Sequence, residues 1–424
     1  ITAISFGAKA PTVVKTASSK DTITGLLTDF NEYYVAGKGV TDEGKSVLVH
    51  DDQLTEDINN KAYGTDGNTA QDQRALSDAQ MNSTNTLYDA LGPVLGKYYK
   101  DAADAGKLPK TAQFLSDMNK SASTGVAKAT YQHPRPYVDR VNFNGTTLNM
   151  NGLKQTLNIK KVPGYENFDW GDGEAPDNEY DGLYNSGSFP SGHTTFAFTQ
   201  GAGLAYLLPE LGPEIMTRVS EAGNNRIVLG VHYPMDVIGG RISASASVTA
   251  LWSDATFRQN VLLPAHDELE NYIAARCKAD GNGDTVAACA SKTGANDKNG
   301  YKNTFTDAVS TEPVTDRASA IDAYTARMTY GFSQTSAAGQ APVVPQGAEN
   351  LLLTAFPDLT DAQRRQVLEA SEIDSGYPLD ASSNGFERIN LAKAFSAKVT
   401  LSEDGSTITA ISFGAKAPTV VKTA

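Results

Sequence analysis

Apolar residues recur at intervals of three and four along much of the first third of the chain. The stretches LLTDFNEYY from Leu26, ALSDAQMNSTNTLYDALGPVLGKYYKDAADAG from Ala75 and TAQFLSDMNKSASTGVAKATY from Thr111 carry this spacing, which predicts helices from Leu26 to about Lys128. HPRP, residues 133–136, ends the last of them, because two prolines do not fit a helix interior. Periodicity is lost over 137–189 and returns over 193–207, about 213–226 and about 235–252. GQAPVVPQG, 339–347, reads as a Pro/Gly hinge before a small helical segment, ENLLLTAFPDLTDAQRRQVLEAS. KVTLSEDGSTITAI alternates on both sides of Asp404-Gly405, the pattern of a β-hairpin. The expected organisation is a strand or linker over 1–25, a mainly α, helical-bundle domain over 26–338, a helical extension over 339–397, and a hairpin with linker over 398–424.

Composition narrows the class. With 424 residues, 40% hydrophobic and 20% charged, the chain has the make-up of a globular protein with a large core. A net charge of −13 argues against a general nucleic-acid surface and makes any local cluster of Lys and Arg stand out. The best candidate for a membrane span, VIGGRISASASVTALW at 237–252, is interrupted by Arg241 and rich in small polar residues. Cys277 and Cys289 are read as carried by an exposed Gly-rich loop; a single disulfide between them is the expectation, with two buried thiols as the alternative. A disulfide suits an exported protein, and a secreted or cell-surface location is the expectation.

Three short segments carry the candidate chemistry. In KATYQHPRP, Lys128 and Arg135 stand two helical turns apart, with Arg135 beyond the helix end. SFPSGHTTF, 188–196, places Ser191 as a helix N-cap, Gly192 where the backbone meets whatever lies in front, and His193 beside the free N–H groups. NRIVLGVHYPMD places Arg226 six residues before His232 and Asp236 four after it, so that carboxylate and imidazole can meet on one helix face. Taken singly, each also fits a plain structural role: a solvated helix end, a capped helix, a structural His–Asp pair. Together they supply three cations, a helix N-terminus and two histidines, a set suited to an oxyanion such as phosphate.

The joint pattern resembles the type 2 phosphatidic acid phosphatase superfamily, which includes bacterial class A acid phosphatases and vanadium haloperoxidases. Its signature is Lys, six residues, Arg-Pro; then Pro-Ser-Gly-His; then Ser-Arg, five residues, His, three residues, Asp. Lys128 to Pro136, Pro190 to His193, and Arg226, His232 and Asp236 fit it; Asn225 departs, standing where the family has Ser. The resemblance implies a helical-bundle core of the acid phosphatase/haloperoxidase type and a two-step transfer. His232 would attack phosphorus, oriented by Asp236, and His193 would protonate the leaving alcohol and then activate water. Lys128, Arg135, Arg226, Ser191 and the Gly192 N–H would hold the phosphate oxygens. It implies phosphomonoester substrates and no metal for hydrolysis, with vanadate as inhibitor or, in a haloperoxidase, as cofactor. Asn225 is expected to tune substrate choice rather than abolish activity.

The rest carries less. DGNGD at 280–284 opens like a calcium loop but lacks the closing glutamate, and is read as a turn. The acidic run at 165–185 reads as a solvated loop able to border the site, and His50 and His266 as surface residues. Residues 1–17, ITAISFGAKAPTVVKTA, recur letter for letter as 408–424. A copy offset by 407 positions (408 − 1) fits a recent duplication, a cloning scar or one period of a tandem array; the array is the expectation, with self-assembly through the repeated segment, or a surface-assembly protein carrying an enzyme, beside it.

Overall fold

The computed structural model describes residues 23–165, 179–306, 312–380 and 384–423. Residues 1–22, hence the first copy of the repeat, and 166–178 of the acidic run lie outside the described residues.

The helices that matter here are α1 (Gly44–Tyr63), α2 (Ala70–Ala79), α3 (Gly92–Asp104), α4 (Pro109–Lys120), α5 (Gly125–Tyr131), α6 (Gly192–Leu207), α7 (Gly212–Val228), α8 (Pro234–Trp252), α9 (Leu263–Ala279), α10 (Val286–Thr293), α11 (Arg317–Thr329) and α12 (Asp361–Ser371). The fold is mainly α, as expected, but the first third is more broken than its periodicity suggests. LLTDFNEYY yields only a 3₁₀ turn, Thr28–Glu32, followed by the two-residue strand pair β1 (Tyr34–Val35) and β2 (Gly39–Val40). Helix α2 starts from a Thr69–Asp72 capping box and stops at Ala79. Met81 then takes a left-handed φ of 50°, and Pro93 sits in the first turn of α3. A second small pair, β3 (Asn142–Phe143) with β4 (Thr146–Thr147), lies in the otherwise irregular segment before the second site motif.

Helices α6, α7 and α8 form the centre. Beyond its first turn α6 is apolar and buried almost all round, as a helix surrounded by others must be. Gly201 lets it close on α7, since a Cβ there would come within 2.3 Å of Val219 Cγ1. Every residue of α7 is buried, charged ones included. Each of three charged α7 side chains meets a partner on another element. Glu214 takes both Nε and Nη2 of Arg317 at 2.7 Å, Arg218 grips both Asp78 oxygens at 2.6 and 3.0 Å, and Glu221 pairs with Arg74. Helices α1, α2 and α11 flank α7, while α4 and α9 flank α6.

The C-terminal segment joins this same core. Leu351, Leu352, Phe356, Leu368 and Phe395 belong to one apolar cluster with Leu204, Met216 and Trp252. Past it, β5 (Lys398–Leu401) pairs antiparallel with β6 (Ile408–Ser412), forming the expected hairpin with Val399 opposite Ile411. The remainder, expected to be linker, supplies a third strand, β7 (Thr419–Lys422), parallel to β5 on its other side. Both outer strands therefore come from the second copy of the repeat.

The cysteines correct another expectation. They lie in α9 and α10 rather than in the loop between them, both fully buried and bonded, with Cα atoms 5.9 Å apart. No helix among the described residues is long and apolar enough to cross a membrane.

Candidate active site

The three motifs converge where the N-termini of α6 and α8 meet the C-terminal turns of α5 and α7. A cavity of about 280 Å³ opens there, lined by Lys128, Arg135, Gly192, His193, Arg226 and His232 among others. No carboxylate lines it among the described residues, so a chain of net charge −13 presents three cations and two imidazoles to one small space.

Arg135 is buried and held by carbonyls. Its Nε donates to Ser186 O at 3.0 Å and its Nη1 to Val231 O at 2.9 Å, so the guanidinium is aimed before any ligand arrives. Lys128, half-buried, donates to Gly187 O and Ser188 O at 2.7 and 3.0 Å. Burial first, and then the neighbouring Arg135, pull its pKa well below the usual lysine value. Arg226, in the last turn of α7, donates through Nη2 to Tyr165 Oη at 2.5 Å and stacks on that ring at 5.4 Å. Its Nε and Nη1 are buried with no protein partner. Two buried donors left over on a cation facing a cavity are what an anion's oxygens would satisfy.

His232 does not share a helix face with Asp236. Pro234 opens α8, so His232 lies before the helix and Asp236 at its third position, where it also accepts the Tyr233 N–H at 2.9 Å. The pair still meets, with Nδ1 and Oδ2 3.0 Å apart. Arg135 Nη1 lies 3.2 Å from His232 Nε2. A guanidinium only donates, so Nε2 must accept and the ring proton must sit on Nδ1, given to Asp236. The Nε2 lone pair therefore faces Arg135 at the wall of the cavity, which both side chains line. Burial, followed by Arg135 and Lys128, depresses the His232 pKa well below the ordinary imidazole value, which favours the unprotonated Nε2. Burial pushes Asp236 the other way, up to about 7, against the Tyr233 N–H and the nearby cations.

A second imidazole supports the first. His133 Nδ1 lies 2.9 Å from Ser188 Oγ, and that hydroxyl donates to Asp236 Oδ1 at 3.2 Å. Ser188 has one proton and gives it to Asp236, so it must accept from His133. The chain of donors runs His133 to Ser188 to Asp236, and His232 meets the same carboxylate from the other side. Sequence reading passed over His133 and Ser188, although both stand inside the quoted motifs; their partnership joins residues 55 apart and leaves no periodic trace.

His193 lines the cavity from the first turn of α6. Its Nε2 lies 3.0 Å from the Ala79 carbonyl at the end of α2, which fixes the proton on that nitrogen. Burial, then Arg226, lowers its pKa well below the usual value. Ser191 is the N-cap expected, but it does not reach the cavity where it was expected to hold an oxygen. It caps α6, its Oγ accepting from Thr194 N at 3.3 Å and Thr194 Oγ1 at 2.9 Å, beneath the cradle rather than among its lining residues. Gly192 does line it. Asn225 faces away, spending Nδ2 on Asp78 Oδ2 at 2.8 Å beside the Arg218 pair, so it has no direct path to the substrate tuning expected of it.

The other candidates stay apart. Residues 280–284 form the turn between α9 and α10, and no cluster of three metal-ligating side chains occurs among the described residues. His266 sits beside Asp267, and His50 is half-buried against the Phe332 ring at 4.8 Å. The described ends of the acidic run are divided: Tyr165, Glu179 and Tyr180 are buried, Asp181, Gly182, Tyr184 and Asn185 are exposed as expected of a solvated loop, and Leu183 lines the cavity.

Residues 112–259, which span this whole constellation, match the PAP2 superfamily. An acid phosphatase of Zymomonas mobilis is 43% identical over 90 residues, 21% of this chain and 34% of that protein. A non-specific acid phosphatase of Providencia stuartii is 30% identical over 207 residues, 47% of this chain and 68% of its own length. One from Salmonella typhi is 26% identical, covering 50% of this chain and 71% of that protein. With the motif residues gathered around one cationic cavity and this likeness extending along two thirds of the Providencia protein, the chain belongs to the PAP2 superfamily.

Proposed function

We propose that this chain is an exported acid phosphatase that hydrolyses phosphomonoesters through a phosphohistidine. Its family and its acid phosphatase relatives support a phosphoric monoester hydrolase. The observation that carries the finer reading is the pairing of unsatisfied donors with an imidazole nitrogen that bears no proton. Arg226 Nε and Nη1 await an anion in the cavity that His232 also lines, its Nε2 accepting from Arg135 until a ligand enters.

In the first step His232 Nε2 forms a bond to phosphorus as the bond to the ester oxygen breaks. Asp236 holds the Nδ1 proton and offsets the positive charge that grows on the ring. Lys128, Arg135, Arg226 and the Gly192 N–H meet the charge on the three equatorial oxygens. The departing alkoxide takes a proton from His193. Without a ligand that imidazole is kept neutral by burial and Arg226, and the incoming phosphate charge opposes both, raising its proton affinity in the complex. In the second step neutral His193 accepts a proton from water, which attacks phosphorus and frees His232. Every group in this scheme comes from the protein, so hydrolysis is expected without added metal. Vanadate, as a phosphate mimic, should inhibit.

The test is release of phosphate from an aryl phosphate in chelator, with and without vanadate, and with His232→Ala. Full activity in that variant would overturn the nucleophile. Halide oxidation with vanadate loaded separates the haloperoxidase alternative, which uses the same cradle.

Export draws support from the buried disulfide, since such bonds persist outside the reducing cytosol. The tandem display draws support from β6 and β7, the outer strands contributed by 408–422. In an array, residues 1–17 would do the same for a preceding unit. Intact mass of the native material decides it, a species near 45.0 kDa leaving the array without support.

A further inference from the structure

A second cavity, of about 510 Å³, adjoins the phosphate site. The two share Met81, Asn119 and Phe196 as lining residues, so those side chains form a threshold between them. Beyond the threshold the walls are Tyr99, Leu108 and Leu115 with small and neutral polar neighbours. No Asp, Glu, Lys, Arg or His lines this groove among the described residues, in contrast to the three cations next door. Its volume falls in the range of about 300–1,000 Å³ that encloses small organic ligands.

The groove is built on the same helix face as the proposed acid. His193, Phe196 and Gln200 are spaced three and four apart on α6, so they project to one side. Gln200 is fixed there by a 2.6 Å hydrogen bond from Nε2 to Leu115 O of α4. In an in-line displacement the leaving oxygen departs opposite His232 and must reach the group that protonates it. A group leaving toward His193 therefore passes Phe196 and enters the neutral groove. Met81, two residues past the end of α2, also lines both cavities. Its left-handed φ of 50° is uncommon for a non-glycine residue, and such conformations gather at functional sites.

We infer that this groove is the leaving-group subsite and selects phosphomonoesters of an uncharged, apolar aromatic alcohol. The inference rests on the phosphatase reading. Two aromatic walls, Tyr99 and Phe196, and the polarisable Met81 thioether favour a flat ring system. A second charged group on the alcohol would be desolvated there with nothing to pair with.

The test compares phenyl with 2-naphthyl phosphate, whose leaving groups are of similar acidity, so that the extra ring is the variable. In the wild-type protein kcat/KM for the naphthyl ester should exceed that for phenyl by about 10-fold, the scale of discrimination an apolar pocket gives. Ala112, exposed on α4 and lining only the groove, is the site to perturb. Ala112→Trp should fill the groove and erase the naphthyl preference, while activity on phenyl phosphate and inhibition by vanadate persist. Ala112→Asp, a smaller change, should act in the same direction through its charge. Equal kcat/KM for the two esters in the wild type, or a preference that survives both variants, overturns the subsite and leaves the phosphatase reading standing. Hydrolysis of neither ester, with no vanadate binding, overturns that reading and the subsite with it.

Discussion

Gly240 of α8 lies against the start of α6. A Cβ there would stand 2.8 Å from the Ser191 carbonyl oxygen and 2.8 Å from Thr194 Cβ. Carbon atoms in contact rest at about 3.5–4.0 Å, so Gly240→Ala requires the two helices to separate by roughly 0.7 Å. Neither neighbour is the free end of a flexible side chain, and the same seam carries the cradle. Ser191 N donates to Asp236 O at 2.9 Å across it, and Thr195 Oγ1 donates to Gly240 O at 3.2 Å. Overpacking of this kind costs about 1–3 kcal/mol, which a melting curve reads as a drop of a few degrees. Catalysis should suffer more, because a misplacement on the order of 1 Å costs about 100-fold. The expected loss in kcat/KM is roughly 10- to 100-fold. Gly201→Ala is the control. Its Cβ would meet Val219 Cγ1 at 2.3 Å, a clash also on α6 but away from the cavity. It should lower the melting temperature by a similar amount and leave kcat/KM nearly unchanged. Equal activity losses in both variants, or a destabilised Gly240→Ala with full activity, would refute the coupling of this seam to the cradle.

His193→Ala should slow esters of poor leaving groups more than those of acidic phenols, since an acidic leaving oxygen needs little protonation; equal losses along a leaving-group series contradict the acid role. Burial holds the His133 imidazole down at about 3, against about 6.5 in the unfolded chain. Between those values the unfolded chain binds the extra proton, so stability falls as pH is lowered through that window, by up to about 1.4 kcal/mol per pH unit. His133→Gln should flatten the acid side of a melting temperature–pH curve, and an unchanged slope would argue against a neutral buried ring. Reducing the Cys277–Cys289 bond, which closes a loop with a sequence separation of 12, should cost about 3 kcal/mol. Two free thiols titrated on the unfolded, unreduced chain would remove the bond itself.

What was legible in the sequence was whatever is written locally. Pro190, Ser191 and Gly192 announce a helix start through cap chemistry alone, and α6 begins at Gly192 as they indicate. The cations and the two imidazoles that line the cavity were legible because they stand in short motifs of fixed spacing. What was not legible depends on distant partners. Ala79 reads as an ordinary helix residue until its carbonyl meets His193, 114 positions away. Asn225, judged by its place in a motif, turns out to answer to Asp78, 147 positions away. Strand β7 was read as linker because a parallel pairing with β5 needs no turn between neighbouring strands to advertise it. The helical breaks after Ala79 and before Gly92 follow from a left-handed Met81 and a proline in the next helix, which an uninterrupted count of threes and fours overrides.

Helix α7 has no spare register. Its charged residues meet fixed partners on two flanking helices, Glu214 with Arg317 of α11, Arg218 with Asp78 and Glu221 with Arg74 of α2, like the wards of a key in a lock. One residue of slip turns an α-helix by about 100°, and it would strand these buried charges together, at about 3–5 kcal/mol for each broken pair. Arg226, in the last turn of the same rod, is thereby indexed to the cationic cavity by contacts made outside it. A single inserted or deleted residue within α7 would turn that guanidinium out of the cavity even if every residue lining the cavity were left intact.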